Sequence, residues 1–206
     1  GRLCGEDAWA AEQLDALTRA EAVLRAWELN DGGMLYVPVS GDWADEFVLS
    51  GYLLYDQALY VWALRELDAL RARLGRAVSG RAGLVARRTE ALAGHPRFGF
   101  RAGTSPAGDW DYLDGLGTAL TMLVELGSAE DRATARAAIA AAGKHDLVPA
   151  FTPAIGAGEQ RYAMLQNIAG VSSQSGNSGR GNGRLRNTPG RYPNAGLSQL
   201  GTGLSA

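Results

Sequence analysis

Two short stretches of the chain gather carboxylic acids around an indole. Asp42, Asp45 and Glu46 surround Trp43 in Gly41-Asp42-Trp43-Ala44-Asp45-Glu46, and Asp109, Asp111 and Asp114 surround Trp110 between Gly108 and Asp114. This pairing suits a sugar site, because an indole face packs on the C–H surface of a pyranose or furanose ring while carboxylates hold its hydroxyls. The same acids could exchange protons: cleaving a glycosidic bond takes two carboxyl groups, one protonating the leaving oxygen and one acting as base or nucleophile. A plainer reading stands beside this one. Asp and Glu at helix starts accept backbone N–H bonds and complement the helix dipole, so each of these acids could equally be a cap.

Other chemistries find less support. His95 precedes a proline and His145 lies between Lys144 and Asp146 in a polar turn, neither with a paired nucleophile, so no triad can be assembled. Ser40, Ser50 and Ser105 lack the setting of a nucleophile elbow. The glycines of Gly176-Asn177-Ser178-Gly179-Arg180-Gly181 are not followed by the Lys-Ser/Thr of a phosphate loop. Cys4 is the single cysteine, so neither an internal disulfide nor a cysteine-rich zinc site is available, and no cofactor is expected. Lys+Arg total 20 against Asp+Glu 22, giving a net charge of −2 and no basic footprint for nucleic acid. No apolar run reaches the roughly 18 residues of a membrane helix and no signal-peptide layout opens the chain, so a soluble, cytoplasmic protein without a membrane partner is expected.

The elements that must position these acids read as helices. Trp9, Leu14, Leu17, Leu24 and Trp27 recur at helical spacing between Glu6 and Leu29, and Asn30-Asp31-Gly32-Gly33 follows as a stop. After the extended Met34 to Val39, a second long helix is predicted beyond Gly51, with Leu53, Tyr60, Ala63, Leu64, Leu67, Leu70 and Leu74 on one apolar face; Tyr55, Tyr60 and Trp62 read as packing residues. Further helices are predicted near Gly80 to Ala93, from Tyr112 to Leu126, and from Ala129 to Ala142 behind the N-cap Ser128. No period-two alternation is long enough for a sheet, so the expected class is all-α, built of helical hairpins. The recurring Gly-Asp-Trp hints at a repeated hairpin unit. Glycine is 28 of 206 residues, about twice the usual 7%. Eight of those glycines fall in Val171 to Ala206, which divides a helical portion, 1–170, from a Gly/Ser-rich loop of the same domain, 171–206.

The stretch Gly41 to Arg65 resembles the six-hairpin (α/α)-toroid glycosidases, in particular neutral invertases and debranching-type amylo-α-1,6-glucosidases. Trp43, Asp45, Gly51, Tyr52, Gln57, Ala58, Leu59, Tyr60, Ala63, Leu64 and Arg65 match that pattern in register. Leu113 to Gly127 is similar to a second family helix, keeping Asp114 and Gly117 but carrying Thr118 where Asn is usual. Val148 to Ile155 resembles the family's proline-rich segment. Arg186 to Leu200 resembles a third motif, with Pro193, Ala195 and Ser198-Gln199 standing where the family has His, Gly and Trp-Pro.

The resemblance implies a toroid whose central pocket holds a glucoside, fructoside or related oligosaccharide. It places Trp43 and Asp45 on the sugar, Gln57 and Asp114 in support, and Tyr192 and Asn194 closing the site. Asp45 is then the first candidate for catalytic carboxylate and Asp42 the second, with Glu46, Tyr52 and Trp110 as further substrate-binding candidates. The expected activity is glycoside hydrolysis by carboxylate acid/base chemistry on a small carbohydrate; the alternatives are a toroidal sugar epimerase or phosphorylase, or a non-catalytic helical fragment. A complete toroid needs on the order of 350 residues, so the chain is expected to be its middle-to-late portion. A homo-oligomer is compatible with this reading.

Overall fold

Helix starts in this chain are written by short polar residues. Ser128 accepts the Asp131 N–H at 3.0 Å while the Asp131 carboxylate accepts the Ser128 N–H at 2.8 Å, a reciprocal capping box that opens a helix over Ala129–Ala142. Asp114 likewise accepts the N–H groups of Leu116 and Gly117 and opens a helix over Gly115–Leu123. The computed structural model describes residues 7–29, 32–39, 41–44, 47–143 and 147–155, with the backbone of 197–198. Five helices are present among them: α1 Asp7–Ala26, α2 Leu54–Arg73, α3 Arg81–Ala93, α4 Gly115–Leu123 and α5 Ala129–Ala142. All five lie where the apolar spacing predicts helix.

The expectation of an all-α chain is overturned. Among the described residues, nine short strands accompany the helices: β1 Tyr52–Leu53, β2 Gly94–His95, β3 Gly99–Phe100, β4 Gly103–Ser105, β5 Gly108–Trp110, β6 Leu113–Asp114, β7 Val148–Pro149, β8 Phe151–Thr152 and β9 Leu197–Ser198. They make a three-stranded antiparallel sheet in the order β1-β4-β5 and three two-stranded ribbons, β2-β3, β6-β8 and β7-β9. In the sheet, Tyr52 faces Thr104, Leu53 faces Gly103, and Gly103 faces Trp110. Each strand is two or three residues long, too short to show alternation, and each exists only through its pairing, with a neighbour a few residues away in β2-β3 and β4-β5 and with a distant segment in β1-β4, β6-β8 and β7-β9. The second Gly-Asp-Trp therefore forms strand β5, whereas the first lies in the loop ahead of β1, so the two are not copies of one hairpin unit.

Of four apolar clusters among the described residues, two are the largest. One, around Tyr60, Val61, Leu64, Val85, Leu120 and Leu126, is shared by α2, α3 and α4. The other lies under the loops and strands, around Phe47, Leu49, Leu53, Trp110, Tyr112 and Phe151. Polar ties join the helices across these clusters. Tyr60 on α2 donates to Glu28 at 2.6 Å, and Arg81 at the start of α3 donates to the same carboxylate, so one buried acid pins the end of the α1 segment to two helices. Burial pushes the Tyr60 phenol above its ordinary pKa, with the Glu28 hydrogen bond adding to it. Asp68 accepts the Ser79 and Gly80 N–H groups at 2.8 and 2.9 Å and fixes the α2–α3 turn. Burial alone would raise its pKa, but those N–H bonds outweigh it and hold the carboxylate below its usual range.

Glu28 is the stronger test of this frame, since its removal leaves Arg81 and Tyr60 without their acceptor. Glu28→Ala should lower the unfolding free energy by about 3 kcal/mol, and Tyr60→Phe by about 1 kcal/mol, read as shifts in urea midpoint at constant m-value.

Candidate functional site

The starts of α2 and α4 are pressed together, and that contact builds the site. Gly117, in the first turn of α4, has no room for a side chain: a Cβ there would stand 2.3 Å from Asp114 Oδ2 and 3.1 Å from the Tyr55 backbone nitrogen in the first turn of α2. The close approach brings Asp56, on that same turn of α2, toward Asp114, the N-cap of α4. The loop over residues 41–44 supplies the third acid. Its tight turn is held by Gly41 N–H donating to Pro38 at 3.0 Å, after which Asp42 is buried and accepts the Trp43 N–H at 2.6 Å.

Asp42, Asp56 and Asp114 thus share one buried volume, and each carboxyl feels the others. Burial raises Asp42 to about 9, reinforced by the charges of Asp114 and Asp56. Burial also raises Asp56, to about 6, against the lowering effect of a hydrogen bond from Asp42. The two carboxyls titrate as a coupled pair, and burial favours keeping a proton within it. Burial lifts Asp114 to about 7, offset by the N–H groups of Gly117 and Leu116 and by the Trp43 side chain. Tyr55 is raised as well, by burial and then by the three acids in the order Asp42, Asp56, Asp114. Burial and like charge therefore favour a cluster that keeps protons near neutral pH.

Aromatic rings wall the acids on one side. Trp43, half-buried, stacks on Phe151 at 5.8 Å and 21°, with Tyr55 tilted against it at 6.2 Å. Phe151 is held by the β6–β8 ribbon, whose register sets it opposite Asp114. The half-buried residues Trp43, Tyr55 and Asp56 form the accessible side of the cluster, whereas Asp42 and Asp114 lie beneath.

Of the residues singled out by sequence, Asp42, Trp43 and Asp114 come together here. Asp45, Glu46, Tyr192 and Asn194 lie outside the described residues. Three others are placed elsewhere. Gln57 is buried and clamps the backbone of Leu35 in both directions, accepting its N–H at 3.0 Å and donating to its carbonyl at 2.8 Å. Tyr52 meets Tyr36 edge to face at 5.6 Å and lines a separate small cavity with Met34 and Arg88. Trp110 is buried in the apolar cluster with its indole N–H donated to the Ser50 carbonyl at 2.8 Å, so its ring is not presented as a sugar platform. Its neighbours Asp109 and Asp111 are occupied by Arg101, and Thr104 donates to Asp109 at 2.6 Å. His95 accepts the N–H groups of Arg97 and Phe98 and stacks on Phe98 at 4.8 Å, a turn-forming role.

Asp56 is the acid that sequence reasoning passed over. Its signal was an aspartate in the first turn of a strongly apolar helix, a position more often explained by the helix dipole. Nothing local indicated that a second helix start would meet it. Among the described residues, no group of three or more His, Cys, Asp and Glu side chains is arranged to hold a metal ion, and no helix is long and apolar enough to cross a membrane. No protein-family model matches the chain, and no curated protein matches it.

The raised carboxyls carry a sign that can be measured. Their folded pKa values, about 9, 7 and 6 for Asp42, Asp114 and Asp56, exceed the unfolded 3.8. The stability they contribute is therefore complete below pH 4 and is lost as pH rises toward 9. Asp42→Asn should remove a slope of about 1.4 kcal/mol per pH unit between pH 5 and 8 and gain stability at pH 8, read from urea midpoints across that range. Gly117→Ala should separate α2 from α4 and bring Asp56 and Asp114 back toward ordinary carboxylate pKa values, seen by carboxyl NMR titration.

Proposed function

We propose that the Asp42–Asp56 pair is the proton-donating centre of a carbohydrate-active enzyme that cleaves a glycosidic bond. The observation that carries this is a gathering of groups: the carboxyls of Asp42, Asp56 and Asp114 lie beside the half-buried Trp43, and burial raises all three above the ordinary carboxylate range. A carboxylic acid kept protonated by its surroundings can protonate a leaving glycosidic oxygen. The half-buried Trp43 indole beside it suits the apolar face of a sugar ring, and its place in the Gly41 to Arg65 pattern supports the glycosidase resemblance.

The geometry refines which acids divide the work. The two catalytic carboxyls of a glycosidase stand about 5 Å apart when retaining and about 6.5–9.5 Å apart when inverting. Asp42 and Asp56 perturb each other's titration directly, so they are read as one unit and not as the separated acid and base of either class. They act together as one acid, and the second carboxylate is a different residue, for which Asp45, three residues after Asp42, is the candidate. Asp114 accepts two backbone N–H groups and serves the site by holding α4 in place.

A panel of glucosides and fructosides tests the reading. Asp42→Asn should lower kcat/KM at least about 100-fold on any substrate the parent cleaves, and Trp43→Ala should raise KM more than it lowers kcat. Parent activity should decline above about pH 9, as Asp42 loses its proton. Unchanged turnover by Asp42→Asn removes the pair from catalysis; turnover that requires inorganic phosphate, or sugar interconversion without hydrolysis, identifies a phosphorylase or an epimerase instead.

A further inference from the structure

The turn between β2 and β3 is held from inside by one imidazole. His95 ends β2 and lies opposite Gly99, so Pro96, Arg97 and Phe98 form the connection. The backbone N–H groups of Arg97 and Phe98 both donate to His95 Nδ1, at 3.2 and 3.3 Å. A neutral imidazole carries its proton on one nitrogen and accepts on the other. Nδ1 is therefore the acceptor, and Nε2 carries the proton and faces Asp111 at 3.8 Å. The ring lies flat on Phe98, with centroids 4.8 Å apart, and Arg97 stands 5.0 Å from the centre of the same phenyl ring. Phe98 is in turn buried in a cluster with Leu113, Ala119 and Ile139. Leu113 precedes Asp114 in β6 and Ala119 lies on α4, so the turn buttresses the helix start that carries one of the three acids. Gly99 fixes the far side of the turn: a Cβ there would stand 2.3 Å from the Asp131 carbonyl oxygen of α5.

We propose that His95 is a proton-operated latch: protonation at Nδ1 turns the acceptor into a donor, releases the Arg97 and Phe98 N–H groups, and unseats Phe98 from its place beside the start of α4. The two states exclude each other, because one nitrogen cannot hold a proton and also accept two N–H bonds. Arg97 is exposed, so its N–H finds water when the imidazole lets go. Phe98 is buried, so its N–H loses its partner unless the segment moves out toward solvent. Burial lowers the pKa of His95 below the ordinary 6.5; Asp111 opposes this, while Arg101 and Arg97 add to it. Asp111 is shared with Arg101 at 3.5 Å, which weakens its pull on the imidazole. On the helices beside the turn, Glu90 of α3 accepts the Gly127 N–H, and Asp131 and Arg132 of α5 hold the Ser128 cap and the Gly127 carbonyl. The latch is closed above pH 6.5, and the stability it contributes is lost as pH falls through the lowered folded value. It does not depend on glycosidic chemistry, so the latch and the proposed catalysis fail or stand separately.

An NMR titration of the full chain from about pH 8 to about pH 5 tests the latch across the range in which a histidine changes charge. At the upper end the imidazole nitrogen shifts should show the proton on Nε2. The Arg97 and Phe98 amides and the Ile139 methyl should then move with the midpoint of the ring, below 6.5. Hydrogen-exchange protection of the Phe98 amide should fall about tenfold in the same step, the effect of losing one bond to a buried donor. His95→Asn puts an oxygen on Cγ where histidine carries Nδ1 and has no proton to gain, so both amides should stay protected and stationary throughout. His95→Gln sets the acceptor one bond farther out and should leave Phe98 unprotected even at the upper end. A neutral ring protonated at Nδ1 overturns the inference, as does Phe98 protection retained by His95→Gln. So do amides that stay still while the ring titrates, or a step of equal size in His95→Asn, which assigns it to the Asp42, Asp56 and Asp114 cluster instead. If His95→Gln does not fold, the wild type and His95→Asn still decide.

Discussion

The structure turns on the contact between the first turns of α2 and α4, where Gly117 lets one helix start rest against the other. Helix starts present unpaired N–H groups and a positive end of the dipole, so carboxylates gather there readily. What is unusual is that two such starts converge and are then covered by the loop over residues 41–44. Water is excluded, and the three acids must share the space. Desolvation becomes the leading cause of all three raised pKa values, ahead of any single charge. Burying like charges together opposes folding, and the raised pKa values express that cost as protons retained within the cluster.

The elements around that contact serve its geometry. The β6–β8 ribbon sets Phe151 opposite Asp114 and behind Trp43, and the clamp of Gln57 on Leu35 ties the 32–39 segment to α2. Trp110, through its bond to the Ser50 carbonyl, fixes the chain just ahead of β1 and hence the entry into α2. Residues that looked like sugar contacts are in these cases the supports of the frame. An aromatic ring or an amide beside an acidic motif has the same appearance in sequence whether it meets a ligand or the protein's own backbone.

The helices were legible because an apolar stripe is a local property: Tyr60, Leu64 and Leu67 mark a side of α2 regardless of what packs on it. The cap Ser128 was legible for the same reason, since it bonds to an N–H group three residues away, whereas the helix expected from Tyr112 begins only at Gly115, behind Asp114 as its cap. The strands were not, because two residues such as Gly94 and His95 become a strand only when Gly99 and Phe100 are brought alongside. Trp9 and Trp27 show the limit from the other direction. Their spacing identifies a helix side correctly, but spacing cannot tell a side buried within one chain from a side left open.

By itself, then, the sequence determined where the five helices lie and the N-cap of the last, through interactions spanning a few residues, and it singled out Asp42 and Asp114 as candidate residues without joining them. Only the tertiary structure decided that Asp56 joins Asp42 and Asp114, that Gln57 and Trp110 face inward, and that the fold mixes helix with short sheet. Desolvation and close approach depend on what surrounds a group in space. Asp56 is 14 residues from Asp42 and 58 from Asp114 along the chain, and no local pattern encodes that meeting.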